Sequence, residues 1–292
     1  MPLLNEAVER IETAEALDQP AEVLSSAISK AIPAGLVKDL LSGTPLGHPA
    51  HPMLVTVPIG AWTAVSVLDF FGGKGARDAA RKLVAFGALA ALPTAATGAS
   101  DWADTLGAER RVGLVHAVGN YAALGIYGLS YLARRRGRHT RGKVLALGGA
   151  GLLAATGYLG GHLSYSYGVG VDTTAFQAAP EDWTDAAADA DVVEGRATFV
   201  DLDGLPVLLS RVGDRVVAIF DRCTHRGAPL HEGRLEGDCI ECPWHGSKFR
   251  LVDGEVLQGP AQALQSRLEV KLADGRVLLR RAEERALRTN PV

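Results

Sequence analysis

Four stretches of the first 171 residues leave a water-soluble fold little room. Residues 53–71 carry one charge, Asp69, and residues 83–100, 112–133 and 144–171 carry none. A hydrocarbon core of about 30 Å is crossed by about 20 helical residues, and about 18 apolar ones already qualify. The helices of a soluble bundle keep a polar face, whereas these runs hold Gly, Ala, Ser and Thr where Lys and Glu would stand. They predict an N-terminal four-helix transmembrane bundle over residues 48–171, in a multi-pass protein of the cell membrane whose first partner is the lipid bilayer.

The loops between the runs orient it. Loop 72–82 holds Lys74, Arg77, Arg81 and Lys82, and loop 134–143 holds Arg134, Arg135, Arg136, Arg138, Arg141 and Lys143. The loop on the other side has only Arg110 and Arg111. The positive-inside rule places the two basic loops in the cytoplasm and, with four spans, both termini outside it. Residues 1–20 are acidic and lack the apolar stretch of a cleavable signal. Residues 1–47 read as an N-terminal helical segment, with Leu4, Val8, Ile11 and then Leu24, Ile28, Ile32 at helical spacing. The expectation is that it packs on the bundle or lies at the interface, with no chemistry of its own.

Composition changes at the end of the bundle. Residues 1–170 have 15 Lys/Arg and 12 Asp/Glu, a net +3; residues 171–292 have 15 and 21, a net −6. Neither is the strongly basic balance of a nucleic-acid binder, and none is expected as a partner. Residues 172–190 are acidic, Ala-rich and aperiodic, and read as a linker. From 191 to 282 the pattern becomes short runs such as PVLLSRV and RVVAIF, and RLEVKLADGRVLLR is two alternating runs joined at Asp274-Gly275, a hairpin signal. A small all-β domain is therefore expected at 191–282, with a tail at 283–292.

Within it stand CTHRGAPLHEG and CPWHGSKF, which give Cys223-x-His225 and, sixteen residues on, Cys242-x-x-His245. A structural zinc finger places both cysteines in one pair and both histidines in the other. A Rieske [2Fe–2S] centre takes one Cys and one His from each of two loops, so that one iron has the Cys pair and the other the His pair. The order here matches the second pattern.

On these motifs residues 191–282 resemble Rieske ferredoxin-type domains over their whole length, including Gly259-Pro260-Ala261, which resembles the family's third loop capping the cluster. The resemblance implies Cys223 and Cys242 on the inner iron, His225 and His245 on the exposed outer iron where electrons leave, and Ser247 and Pro260 as cofactor-binding residues. The quinol-oxidising relatives have a disulfide between the two loops; the matching positions here are Ala228 and Trp244. Their serine that hydrogen-bonds a cluster sulfur is kept as Ser247, but their tyrosine two places on is Phe249. Fewer hydrogen bonds to sulfur stabilise the reduced cluster less, which predicts a potential nearer about −150 mV than about +300 mV. Cys239 is expected as a small buried or strand-end residue and His231 as a surface polar one.

An oxygenase catalytic subunit would add a 2-His-1-carboxylate iron domain, and neither the bundle nor the residues after 282 offer one. Gly149-x-Gly151-x-x-Ala154 lies inside the fourth apolar run with no strand before it, so helix packing explains it better than dinucleotide binding. The four spans resemble a family of predicted four-helix membrane domains of unknown function through GHPAHPM (47–53), TGASDW (97–102) and GGHLSYSYGVGV (160–171). On the expected topology His48, His51, His116, His162 and Asp101 gather on the outer face, and glycines flank His116 and His162. Polar groups at membrane depth are costly and tend to be functional. These five residues form a candidate haem b or metal site, against the alternative that the histidines bind headgroups or each other. The expected function is a membrane-anchored Rieske carrier. It passes single electrons from a membrane quinol or haem protein to an acceptor redox protein, as an electron-transfer protein or oxidoreductase component. The competing class is a redox or iron–sulfur sensing module with a membrane anchor.

Overall fold

The computed structural model describes residues 2–282; the expected tail at 283–292 lies outside them. The chain divides into two compact units, one holding residues up to Pro33 together with Pro49–Val169, the other Ala34–His48 together with the residues from Gly170 on.

The first unit is helical: α1 (Pro2–Glu12) and α2 (Asp18–Ala31), then α4 (Ala50–Leu54) running into α5 (Thr56–Phe71), α6 (Arg77–Ala103), α7 (Gly107–Arg135) and α8 (His139–Tyr165). The 22 residues of α4 and α5 and the 27, 29 and 27 of α6, α7 and α8 are each long and apolar enough to cross a membrane. Only 22–28% of each apolar window is buried inside the bundle, so most of its apolar surface faces outward.

Inside the bundle, small residues let large ones interlock. Trp62 and Tyr127 stack with ring centroids 4.0 Å apart. A Cβ at Gly87 would sit 2.5 Å from the Trp62 indole, and one at Gly149 would sit 2.8 Å from the Tyr127 ring. Gly149 of that motif is thus a packing position. Asp69, the one charge of the first run, accepts both guanidinium arms of Arg134, with Nη1 to Oδ1 at 2.8 Å, and its carbonyl accepts from Lys143. The Arg134 side chain is 1% exposed. One arginine of the basic loop is therefore a structural ion-pair partner.

The second unit has two antiparallel sheets. The larger has six strands in the order β1-β10-β9-β4-β3-β2, and the smaller four, β5-β6-β7-β8. The strands are β1 (Thr184–Ala188), β2 (Thr198–Leu202), β3 (Leu205–Val212), β4 (Arg215–Phe220), β5 (Arg234–Glu236), β6 (Cys239–Glu241), β7 (Lys248–Arg250), β8 (Val256–Gln258), β9 (Arg267–Ala273) and β10 (Arg276–Arg281). Asp274 and Gly275, with φ of 50° and 75°, make the expected two-residue hairpin, because a turn with positive φ at both positions matches the strand twist. Period-2 alternation divides β3 and β4 between two cores. Val207, Leu209, Ala218 and Phe220 point to one, and Leu208 and Ile219 to the other, which also contains Cys223 and Cys242.

Two segments differ from expectation. Thr184–Ala188, read as the end of a linker, is the edge strand β1 beside β10. Its Ala-rich sequence carries little strand signal of its own, and the partner strand supplies the pairing. Residues 34–48, read with 1–33 as one helical segment, belong to the β unit. They form the short helix α3 (Leu36–Ser42), bounded by Gly35 at φ 134° and Gly43 at φ 89°. Each glycine breaks the helical path at a conformation L side chains rarely adopt.

Candidate metal centre

Two loops leave the ends of strands and turn back in the same way. After β4, Cys223 N–H donates to Ala228 O at 2.9 Å, and Gly227 N–H to Cys223 O at 2.8 Å. After β6, Cys242 N–H donates to Ser247 O at 2.7 Å, and Gly246 N–H to Cys242 O at 3.2 Å. Gly227 and Gly246 stand four residues after their cysteines with φ of 76° and 74°. A left-handed residue at that place closes each loop around its sulfur, which is why both motifs carry a glycine there.

The loops bring the four expected ligands together as two pairs. Cys223 and Cys242 are buried, and their thiols hydrogen-bond one another. The hydrogen bond from Cys223 pulls the Cys242 thiol down to about 7, helped by the backbone N–H groups of Trp244 and His245. The same hydrogen bond and burial push Cys223 up, while the N–H groups of His225 and Arg226 oppose them. A thiolate is the form that binds metal. The His225 and His245 rings lie 5.1 Å apart and nearly perpendicular, each with its Nδ1 buried. Burial first, and then the charges of His245, Lys38 and Arg226, hold the His225 imidazole well below its ordinary range, in the neutral ligating form. Two thiols in one pair and two imidazoles in the other are a donor set that fits a [2Fe–2S] cluster with mixed ligation.

The third segment closes the site. Ala261 N–H donates to the fully buried Ser247 Oγ at 3.0 Å, and Thr224 Oγ1 donates to Ala263 O at 3.1 Å. Gln265 Nε2 reaches Phe220 O at 2.6 Å and Arg222 O at 3.0 Å, tying this segment to the first loop. Thr173, expected in the linker, donates through Oγ1 to Cys223 O at 2.7 Å. Pro260 lies in this segment beside Ala261, and Phe249 is fully buried where the quinol-oxidising relatives have a tyrosine. Cys239 begins β6 as a half-buried free thiol, and His231 is half-buried against Asp221 rather than in either ligand pair.

Residues 34–48 add contacts that the sequence did not reveal. Asp39 Oδ1 accepts from Gly259 N–H at 2.8 Å, Thr44 Oγ1 donates to Ala261 O at 3.0 Å, and Gln262 Nε2 donates to Ser42 O at 3.1 Å. The available signal was the pair of glycines fencing a seven-residue stretch with Lys38, Asp39 and Ser42 on one side of a helix.

In the bundle, three histidines of the candidate haem b or metal site hydrogen-bond protein groups. His51 Nδ1 bonds Thr94 O at 2.9 Å, His116 Nδ1 bonds Thr156 O at 2.8 Å, and His162 Nε2 pairs with Glu12 Oε1 at 2.9 Å. Asp101 lies near the end of α6, and His48 belongs to the β unit. The glycines let neighbouring side chains approach closely. A Cβ at Gly160 would meet the His116 ring at 2.9 Å, one at Gly113 would meet Trp102 at 2.3 Å, and one at Gly119 would meet Thr156 at 2.4 Å. Periodicity and topology put the histidines near one face, but only side-chain packing decides whether they converge.

Paired antiparallel sheets with two Cys/His loops and a third capping segment define a Rieske-type electron-transfer domain. Residues 182–271 match the Rieske [2Fe-2S] domain, and residues 47–173 match a family described as a predicted membrane protein, DUF2231. Ferredoxin CarAc of Metapseudomonas resinovorans is 38% identical over 32% of this chain and 90% of its own length. The ferredoxin component of the naphthalene 1,2-dioxygenase/salicylate 5-hydroxylase systems of Ralstonia sp is 34% identical over 34% of this chain and 96% of its own. The solved ferredoxin of carbazole 1,9a-dioxygenase from Nocardioides aromaticivorans IC177 aligns over 35% of this chain and all of its own at 27% identity, with a TM-score of 0.33. The chain belongs to the Rieske [2Fe-2S] family, with a DUF2231 membrane domain ahead of the Rieske domain.

Proposed function

We propose that this chain is a membrane-anchored Rieske carrier that takes single electrons from a membrane quinol or haem protein and passes them to an acceptor redox protein. The observation that carries the reading is the pairing of Cys223 with Cys242 and of His225 with His245 across two equivalent loops. Cys223 and Cys242 would hold the inner iron, and His225 and His245 the outer one. The bound cluster supplies one-electron transfer without proton or group chemistry of its own. Ser247, whose oxygen receives Ala261 N–H, would donate its hydroxyl to a cluster sulfur. The segment around Pro260 would cap the cluster, as the resemblance implies. Trp244, 49% exposed beside His245, gives the histidine edge an apolar rim for an acceptor. The ferredoxin components among the relatives support a protein acceptor. The basic loops support a cytoplasmic side for 72–82 and 134–143, with the cluster and both termini outside the cytoplasm.

The test is electron paramagnetic resonance of the reduced full chain, with iron and acid-labile sulfide counted in the same sample. Two irons, two sulfides and a Rieske-type signal are expected; a diamagnetic protein holding one zinc overturns the reading. A reporter fused after residue 292 tests sidedness: protection from external protease in intact cells refutes the outside placement.

A further inference from the structure

Helix α3 is built inside out. It buries Lys38, 5% exposed, and Ser42, and it leaves Leu36, Val37 and Leu40 exposed. Seven residues do not bury a lysine in preference to three apolar side chains unless the covered surface rewards a positive charge, because desolvating an ammonium costs several kcal/mol. What the helix covers is the cluster site. Ala34, one turn before Lys38, comes within 3.2 Å of where a Cβ on Gly246 would stand, next to His245. Asp39 and Ser42, on the other side of Lys38, bond Gly259 N–H and the Gln262 side chain of the third segment. Lys38 is thereby buried on a helix whose neighbouring residues meet the second ligand loop and the third segment.

We propose that residues 34–48 are an integral fourth element of the cluster site and that the buried Lys38 ammonium sets the reduction potential of the cluster. This rests on the Rieske reading above. With two thiolate and two neutral imidazole ligands the oxidised cluster carries no net charge, and the incoming electron makes it singly negative. A fixed cation beside the histidine edge stabilises only the reduced form and raises the potential. Lys38 is a positioning charge: it neither ligates iron nor carries the electron.

The experiment is a redox titration, followed by electron paramagnetic resonance, of the full chain and its Lys38→Arg, Lys38→Met and Lys38→Gln variants. Wild type and Lys38→Arg are expected to share one midpoint. Lys38→Met and Lys38→Gln are expected to keep the Rieske signal while the equilibrium constant for reduction falls about tenfold, which is about 59 mV for one electron. A neutral variant that loads the cluster and titrates at the wild-type midpoint overturns the proposal. Failure of both neutral variants to load the cluster also overturns it, since Lys38 would then serve assembly instead of potential. Absence of a Rieske signal in the wild type refutes the family reading itself, a result distinct from either.

Discussion

Replacing Gly259 by alanine tests whether residues 34–48 are docked on the third segment as the structure has them. The new Cβ would lie 2.1 Å from Thr44 Oγ1 and 3.0 Å from Asp39 Oδ1. Thr44 has to move by about an ångström to reach ordinary van der Waals distance. That movement breaks its 3.0 Å bond to Ala261 O and disturbs the 2.8 Å bond from Gly259 N–H to Asp39. The first bond is worth about 1 kcal/mol and the second, to a carboxylate, about 1.5–3 kcal/mol. A loss of about 3 kcal/mol raises the population with the segment released by about a hundredfold. Hydrogen exchange on the peptides covering 34–48, read by mass spectrometry on the detergent-solubilised full chain, reports that population directly. Gly259→Ala is expected to exchange these amides about a hundredfold faster, with the β-core peptides unchanged. Adding Thr44→Ala removes the closest atom and leaves Thr44 Cβ at 3.2 Å, so the double variant regains the Asp39 bond and about tenfold of the protection. Wild-type exchange in Gly259→Ala, or no recovery in the double variant, refutes the reasoning.

Four further outcomes follow from the same structure. Cys223→Ser and Cys242→Ser are each expected to abolish the reduced-state resonance and the bound iron, whereas Cys239→Ser leaves both intact; loss of iron in Cys239→Ser contradicts the ligand assignment. Asp69→Ala leaves the Arg134 guanidinium buried without its carboxylate and is expected to destabilise the bundle by about 3–5 kcal/mol, while a double variant with Arg134→Met recovers most of it, as thermal melts in detergent will read. Donation from the Tyr167 hydroxyl, with His162 adding to it, holds the Glu12 carboxyl below its ordinary 4.5, so its contribution to stability is full above that value and is lost as pH falls through the lowered one. Glu12→Gln should therefore be less stable at neutral pH and show a shallower loss in acid, and an unchanged acid limb in the melts contradicts this. The cluster midpoint is expected below about +150 mV, in the lower part of the Rieske range, because Phe249 offers no hydroxyl and no disulfide joins the loops.

Much of this architecture could be read directly. Charge-free runs of membrane length have one physical solution, because lipid accepts only helices or closed barrels. Cys-x-His and Cys-x-x-His in separate loops state their chemistry by ligand type and order, and the Asp-Gly of the last hairpin states its turn. Other features were illegible for equally physical reasons. Whether His51, His116 and His162 meet depends on rotamers and on which carbonyl each ring finds across the helix interface, and no spacing rule contains that. The strand Thr184–Ala188 has almost no intrinsic preference and takes its form from Leu278 and Leu279 of its neighbour.

The division of labour is clearest at the cluster. Residue identities alone pointed to four helices long and apolar enough to cross a membrane, a β domain and four candidate ligands in two pairs, since each is a local matter of apolar length, periodicity or donor chemistry. Only the tertiary structure decided that fifteen residues ahead of the first span, Ala34–His48, join the cluster site and bury Lys38 there. That choice depends on Asp39 meeting Gly259 and Thr44 meeting Ala261 across more than two hundred residues of chain, a match of surfaces that no window of sequence displays.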